Sequence, residues 1–276
     1  NGKLDEQAFG DLVEWQIANG TNGIVPCGTT GESATLTHQE HHRVVELTVE
    51  VVNRRIPVIA GTGSNSTAEA VSLTKHAKQA GADGALIITP YYNKPMQEGL
   101  YRHYKAIAES VDLPQILYNI PGRTGVNMLP STVARLCGLQ NIVGIKEGSG
   151  SVQQASEIVS TCGDRITVLA GDDALTLPMM AVGGKGVISV TSNIVPSQMA
   201  QLVQAFLSSR IDEARRIHSA LSPLFNALFY ETNPIPVKTA LGLMGKIDPE
   251  LRLPLCAMAA ETKDKLTRVL KDAGLI

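Results

Sequence analysis

Seven short apolar runs rich in β-branched residues, each separated from the next by a stretch of helical periodicity, constrain this chain more than any other feature. They lie at 23–28, 57–63, 84–90, 114–120, 142–148, 166–172 and 186–192. Strand alternating with helix means a parallel sheet covered by helices. Helix starts fall between the runs, where Thr37 with Glu40, Ser66 with Glu69 and Ser151 with Gln154 each fit a capping box. A repeat of roughly 20 to 35 residues per strand and helix suits a (β/α)8 TIM barrel, which closes with eight strands.

Seven runs leave one strand to be found. Residues 1–19 place Leu4, Phe9, Leu12, Val13, Trp15 and Ile17 at the spacing of an amphipathic helix, so the expectation is a first strand lying before Asn1. An open doubly wound sheet is the alternative that seven strands allow. From Pro196 to Ile276 the pattern is wholly helical, with breaks near Ser209, Thr232 and Pro249. The expected organisation is an α/β barrel over residues 1–209, carrying the catalytic site, and a C-terminal helical appendage over 210–276 packed directly on it.

Charge excludes several classes of function. Lys plus Arg number 24 against 26 for Asp plus Glu, with no long run of one sign, so nothing marks a nucleic acid or anionic membrane surface as partner. No apolar stretch reaches the roughly 18 residues of a membrane span, and the first ten residues are too polar for a signal peptide. Cys27, Cys137, Cys162 and Cys256 form no CxxC pair, which argues for a reducing cytoplasm and against a zinc site or disulfide framework.

Barrel chemistry gathers at the C-terminal ends of strands. One such end carries Lys146 after the run Ile142, Val143, Gly144, Ile145, where alternation puts Lys146 on the face of Ile142 and Gly144. Gly144 is read as leaving room beside it. A desolvated lysine loses proton affinity and becomes a nucleophile toward a carbonyl; an ammonium that snorkels to water is the ordinary alternative. Other strand ends offer Gly28-Thr29-Thr30-Gly31-Glu32-Ser33, Tyr91 with Tyr92, Tyr118, and Gly171 with Asp172 and Asp173, with Arg123 a little beyond Tyr118. Tyr118 shares a face with Ile116 and is expected beside Lys146, where a phenol can pass protons, although a packed tyrosine is the commoner fate. The threonine loop suits a carboxylate or simply a capped turn. One aspartate of the pair at 172 and 173 is expected to cap a helix near Ala174, since no histidine stands at a strand end to complete a metal site. No metal is expected.

Three motifs resemble one family in order and spacing. Gly28-Thr29-Thr30-Gly31-Glu32, Tyr118-Asn119-Ile120-Pro121-Gly122-Arg123-Thr124-Gly125 and Gly144-Ile145-Lys146-Glu147 are similar to the dihydrodipicolinate synthase group of pyruvate-dependent class I aldolases. Asn233-Pro234-Ile235-Pro236-Val237-Lys238 resembles its C-terminal helical segment, so the likeness covers nearly the whole chain. The resemblance implies a lyase in the diaminopimelate route to lysine that joins pyruvate to L-aspartate 4-semialdehyde, with no cofactor beyond the pyruvate imine on Lys146. Tyr118 would donate and accept protons, and Thr29 and Tyr92 would complete a relay, Tyr92 reaching a neighbouring subunit of a homotetramer. Thr30 would hold the pyruvate carboxylate, Ile188 and Gly171 would line the pocket, and Arg123 would take the aldehyde's carboxylate.

A second, regulatory site is implied by the same resemblance. Ser33, Ala34, His38, His41, Asn65, Glu69 and Tyr91 stand where lysine-inhibited members bind L-lysine. Ordinary surface histidines, a capping role for Glu69, or a metal held by His38 and His41 are the alternatives. Two rival functions remain: a sugar-acid or sialic acid aldolase of the same fold, and a non-catalytic barrel that binds a small carboxylate.

Overall fold

The computed structural model describes residues 2–276. In chain order it begins with helices α1 (Glu6–Ala18) and α2 (His38–Val52). Strands and helices then alternate: β1 (Ile59–Gly61), α3 (Thr67–Ala80), β2 (Gly84–Ile88), α4 (Gln97–Ser110), β3 (Gln115–Asn119), α5 (Pro121–Thr124), α6 (Pro130–Leu136), β4 (Ile142–Glu147), α7 (Val152–Cys162), β5 (Thr167–Ala170), α8 (Thr176–Ala181) and β6 (Gly186–Val187). Helices α9 (Pro196–Leu207), α10 (Ile211–Ala227), α11 (Ile235–Leu243) and α12 (Ala260–Asp272) complete the chain. The breaks near Ser209, Thr232 and Pro249 therefore fall where expected. Among the described residues, no helix is long and apolar enough to cross a membrane.

Two compact units emerge, residues 1–56 with 189–276, and residues 57–188. The second holds all six strands in one parallel sheet whose spatial order is the chain order, β1 to β6. Each crossover thus advances one place in the same direction. A doubly wound sheet reverses direction at a switch point, and no reversal occurs among these strands. β2 and β4 are buried along nearly all their length, as expected of parallel strands covered on both faces. β3 joins β4 with Tyr118 opposite Lys146 and Asn119 opposite Glu147.

One expected strand is not formed. Of residues 23–28 only Ile24 holds an isolated bridge position, and the chain turns at Pro26. Proline lacks the amide needed to extend a ladder, and Cys27 takes a left-handed φ of 55°.

The caps differ in completeness. Thr37 and Glu40 form the full box, with Glu40 N–H on Thr37 Oγ1 at 3.2 Å and Thr37 N–H on Glu40 Oε2 at 2.9 Å. Ser151 accepts from Gln154 N–H, but the Gln154 side chain turns inward instead of returning to the cap. Ser66 makes no side-chain cap, and the return bond of the box is replaced: Ser64 Oγ donates to the Glu69 carboxylate and accepts Ser66 N–H at 3.0 Å. In the first unit, Asp5 caps α1 through Ala8 N–H, so residues 6–18 form the amphipathic helix expected there.

Candidate active site

Within residues 57–188 the centre of interest is the end of β4. Lys146 is only 9% exposed, and its Nζ lies 4.3 Å from the centroid of the Tyr118 ring. The pairing follows from register: the two residues stand opposite one another on adjacent strands and point to the same face. Burial lowers the Lys146 pKa from 10.5 to about 8; the Asp173 carboxylate resists that shift, and the Arg123 guanidinium adds slightly to it. Snorkelling is thereby set aside, since the ammonium is the buried end of the chain. Space beside the lysine does not come from Gly144, however. A Cβ there would lie 3.4 Å from Ile116 Cγ1 and 3.2 Å from Thr167 O, so that room is already filled.

In the sequence Asp173 is one of two adjacent aspartates, one of which is expected to cap the helix near Ala174. The structure separates the two aspartates: Asp172 Oδ1 caps Ala174 N–H at 2.9 Å, as expected of one of them, whereas Asp173 is buried and acts on Lys146. Among the described residues no group of three or more His, Cys, Asp or Glu is placed to hold a metal ion.

The remaining expected residues of this unit lie around the strand ends. Arg123 is exposed on α5. Gly171 N–H donates to Glu147 O at 2.7 Å, and a Cβ at Gly171 would come within 3.0 Å of Gly148 Cα, so the close backbone approach requires glycine. Ile188 N–H donates to Ala170 O at 3.0 Å. Tyr92 has a left-handed φ of 72° and is 90% exposed. Asn93 ties the same loop to Asn65 O at 2.9 Å, which brings Tyr91 and Asn65 to one region. Glu69 there accepts the Ser64 hydroxyl.

In the other unit, residues 28–33 form successive turns, with Gly31 N–H on Gly28 O and Glu32 N–H on Thr29 O, both at 3.1 Å. Thr30 Oγ1 accepts Asn233 Nδ2–H at 3.0 Å. Glu32 is gripped by Lys238 Nζ at 2.5 Å and Arg252 N–H at 3.0 Å. The loop bearing Thr29 and Thr30 is thus fastened by Asn233 just before α11, Lys238 within it and Arg252 beyond it. Ser33 and Ala34 lie in a 3-10 turn, Ser33–Thr35, and His38 and His41 occupy the first turn of α2, His41 being buried.

The sequence matches the dihydrodipicolinate synthetase family over residues 1–273. The chain belongs to that family. It is 62% identical over 275 residues to the 4-hydroxy-tetrahydrodipicolinate synthase of Geotalea daltonii, covering 100% of this chain and 95% of that one. The same enzyme of Thermodesulfovibrio yellowstonii is also 62% identical, with 100% and 94% covered. Among solved structures, the dihydrodipicolinate synthase of Acinetobacter baumannii complexed with pyruvate matches with a TM-score of 0.98 at 49% identity, over 100% of this chain and 94% of that one. The lysine-bound enzyme of Cyanidioschyzon merolae matches at 0.96 and 41%, over 100% and 94%.

Proposed function

We propose that Lys146 carries a Schiff-base reaction of pyruvate, and the observation that carries this reading is its buried amine, lowered to about 8, against the Tyr118 ring. The activity is that of a 4-hydroxy-tetrahydrodipicolinate synthase, a lyase of lysine biosynthesis. The neutral amine attacks the pyruvate carbonyl, and loss of water leaves an imine that draws electrons from the methyl group. Tyr118 carries the protons of these steps, with Thr29 and Tyr92 relaying them. Loss of a methyl proton gives an enamine, whose carbon bonds to the aldehyde carbon of L-aspartate 4-semialdehyde. The amine of that substrate then replaces Lys146 at the imine carbon, which closes the ring and frees the lysine.

Thr30 and the Ile188 backbone hold pyruvate, Gly171 leaves the backbone open beside it, and Arg123 binds the aldehyde's carboxylate. The six strands form part of a (β/α)8 barrel followed by a helical appendage from residue 210. The exposed Tyr92 belongs to a neighbouring subunit's site in a homotetramer of the cytoplasm. L-lysine is an effector held by Ser33, Ala34, His38 and His41 with Asn65, Glu69 and Tyr91. The test is reduction with borohydride in the presence of pyruvate, followed by peptide mass spectrometry. An adduct on Lys146 supports the reading, and its absence from folded protein overturns it. Turnover of aspartate semialdehyde against sugar acids then decides the aldehyde, and inhibition by added L-lysine tests the effector.

A further inference from the structure

The faces of β3 and β4 opposite Tyr118 and Lys146 carry a closed set of polar side chains that the reaction does not use. Asn119 and Glu147, both fully buried, follow Tyr118 and Lys146 directly and pair in register. Glu147 Oε1 accepts Ser149 N–H at 2.6 Å; Oε2 accepts Asn119 Nδ2–H at 3.0 Å and Gln154 Nε2–H at 3.1 Å. Asn119 Nδ2 also donates to Asn127 Oδ1 at 2.8 Å, and Asn119 Oδ1 accepts Met128 N–H at 2.9 Å. Asn127 Nδ2 donates to Gln154 Oε1 at 2.9 Å.

The topology of these bonds is informative. Residues 120–126 form one excursion that contains α5 and Arg123, and the network joins its two ends, Asn119 and Asn127, to each other. Glu147 and Gln154 then tie those ends to the lysine strand and to α7. Thr124 Oγ1 on Ile120 O at 3.1 Å tightens the excursion from within. Arg123 itself is exposed, four residues after Asn119 and four before Asn127. Buried polar groups this fully satisfied define one geometry, because any displacement leaves a donor or acceptor unmet.

Resting on the reading of Arg123 given above, we propose that Glu147, Asn119, Gln154 and Asn127 are positioning residues that set where Arg123 is presented, and so set the preference for an aldehyde bearing a carboxylate. In this reading the four act through Arg123 and not on substrate, Asn119 and Glu147 pointing to the face opposite Tyr118 and Lys146. Glu147→Gln is the decisive variant because it preserves shape. Asn119 must keep its amide nitrogen toward residue 147, since its oxygen receives Met128 N–H; a glutamine at 147 therefore faces one donor with another in either orientation.

The experiment measures steady-state kinetics of wild type, Glu147→Gln and Asn127→Ala with pyruvate, using aspartate semialdehyde and a carboxylate-free aldehyde of the same chain length. The expected result is a KM for aspartate semialdehyde raised about tenfold or more, with the KM for pyruvate and the borohydride trapping rate within about twofold of wild type. The ratio of kcat/KM for the two aldehydes should fall accordingly, which a general loss of stability would not produce. Unchanged ratios, or equal losses with both aldehydes, overturn the proposal. Should Glu147→Gln be insoluble, Asn127→Ala decides alone, since it removes only the half-buried corner. A wild-type protein that forms no pyruvate adduct sinks the underlying reading instead, and the two failures are told apart by that control.

Discussion

Replacing Lys146 by Met retains an apolar stem of similar length and removes the ammonium. The lowering from 10.5 to about 8 in the folded protein corresponds to roughly 3 kcal/mol, at about 1.36 kcal/mol per pKa unit. The sign follows from which state holds the proton. Below about pH 8 both folded and unfolded chains carry it, and the folded state bears the whole cost of the buried charge. Between about 8 and 10.5 only the unfolded chain retains it, so wild-type stability rises with pH. Above that window the cost is gone. Lys146→Met has no such dependence, so its advantage over wild type should shrink by roughly 3 kcal/mol across the window. Loss of the cation beside Asp173 adds an offset, which makes the slope the diagnostic quantity.

Urea titrations of both proteins near pH 7, 8, 9 and 10, at matched protomer concentration, supply the comparison. Parallel stability curves would refute the claim that burial holds the amine down. The same proton governs reactivity, because only the neutral amine attacks a carbonyl. Borohydride trapping of pyruvate by wild type should therefore rise with pH to a plateau, with its midpoint near the value of about 8. A trapping midpoint near 10.5 with a sloping stability difference would show that the two measurements follow different groups.

Tyr118→Phe keeps the ring against Lys146 and removes the hydroxyl; kcat should fall by about 10²- to 10⁴-fold while the far-ultraviolet spectrum is unchanged. Arg123→Leu should weaken the aldehyde chiefly, seen as a higher KM for aspartate semialdehyde at an unaltered pyruvate trapping rate. Gly63→Ala would put a Cβ 2.3 Å from Ile88 N and 2.7 Å from its Cγ2, so overpacking should cost about 1–3 kcal/mol or more, read as a lower melting temperature. Arg252 first, and the Thr37 cap after it, lower Glu40 to about 2, so Glu40 contributes stability above its ordinary 4.5 that is lost as pH falls toward 2. Glu40→Gln should therefore be less stable than wild type at neutral pH, with the gap closing in acid titrations followed by circular dichroism.

Lys146 was legible because a charge at the end of an apolar parallel strand is expensive, and Tyr118 because alternation alone assigns its face. Six of the seven strands were legible for the same reason: continuous β-branched runs suit a sheet covered on both sides. The run at 23–28 misled because its apolar residues are followed by Pro26, and composition registers their hydrophobicity before the missing amide. Asp173 was obscured by Asp172, since adjacent aspartates before a helix look alike until one of them caps it. Ser66 and Glu69 have capping-box spacing, yet Ser64 competes for the carboxylate. Spacing proposes a hydrogen bond, and the nearest donor decides it.

The least legible feature, the amide and carboxylate network, follows from the same alternation that made the lysine visible. Two consecutive residues on a parallel strand point to opposite faces, so Lys146 and Glu147 serve different surroundings, as do Tyr118 and Asn119. One face then offers the reacting amine and phenol, while the other receives the loop ends and α7. A strand end can supply both chemistry and alignment from adjacent positions only if neither residue does the other's work. For that reason a substitution at Glu147 should alter which aldehyde is preferred without altering how readily Lys146 meets pyruvate, whereas one at Lys146 should abolish the adduct and leave the frame around Arg123 intact.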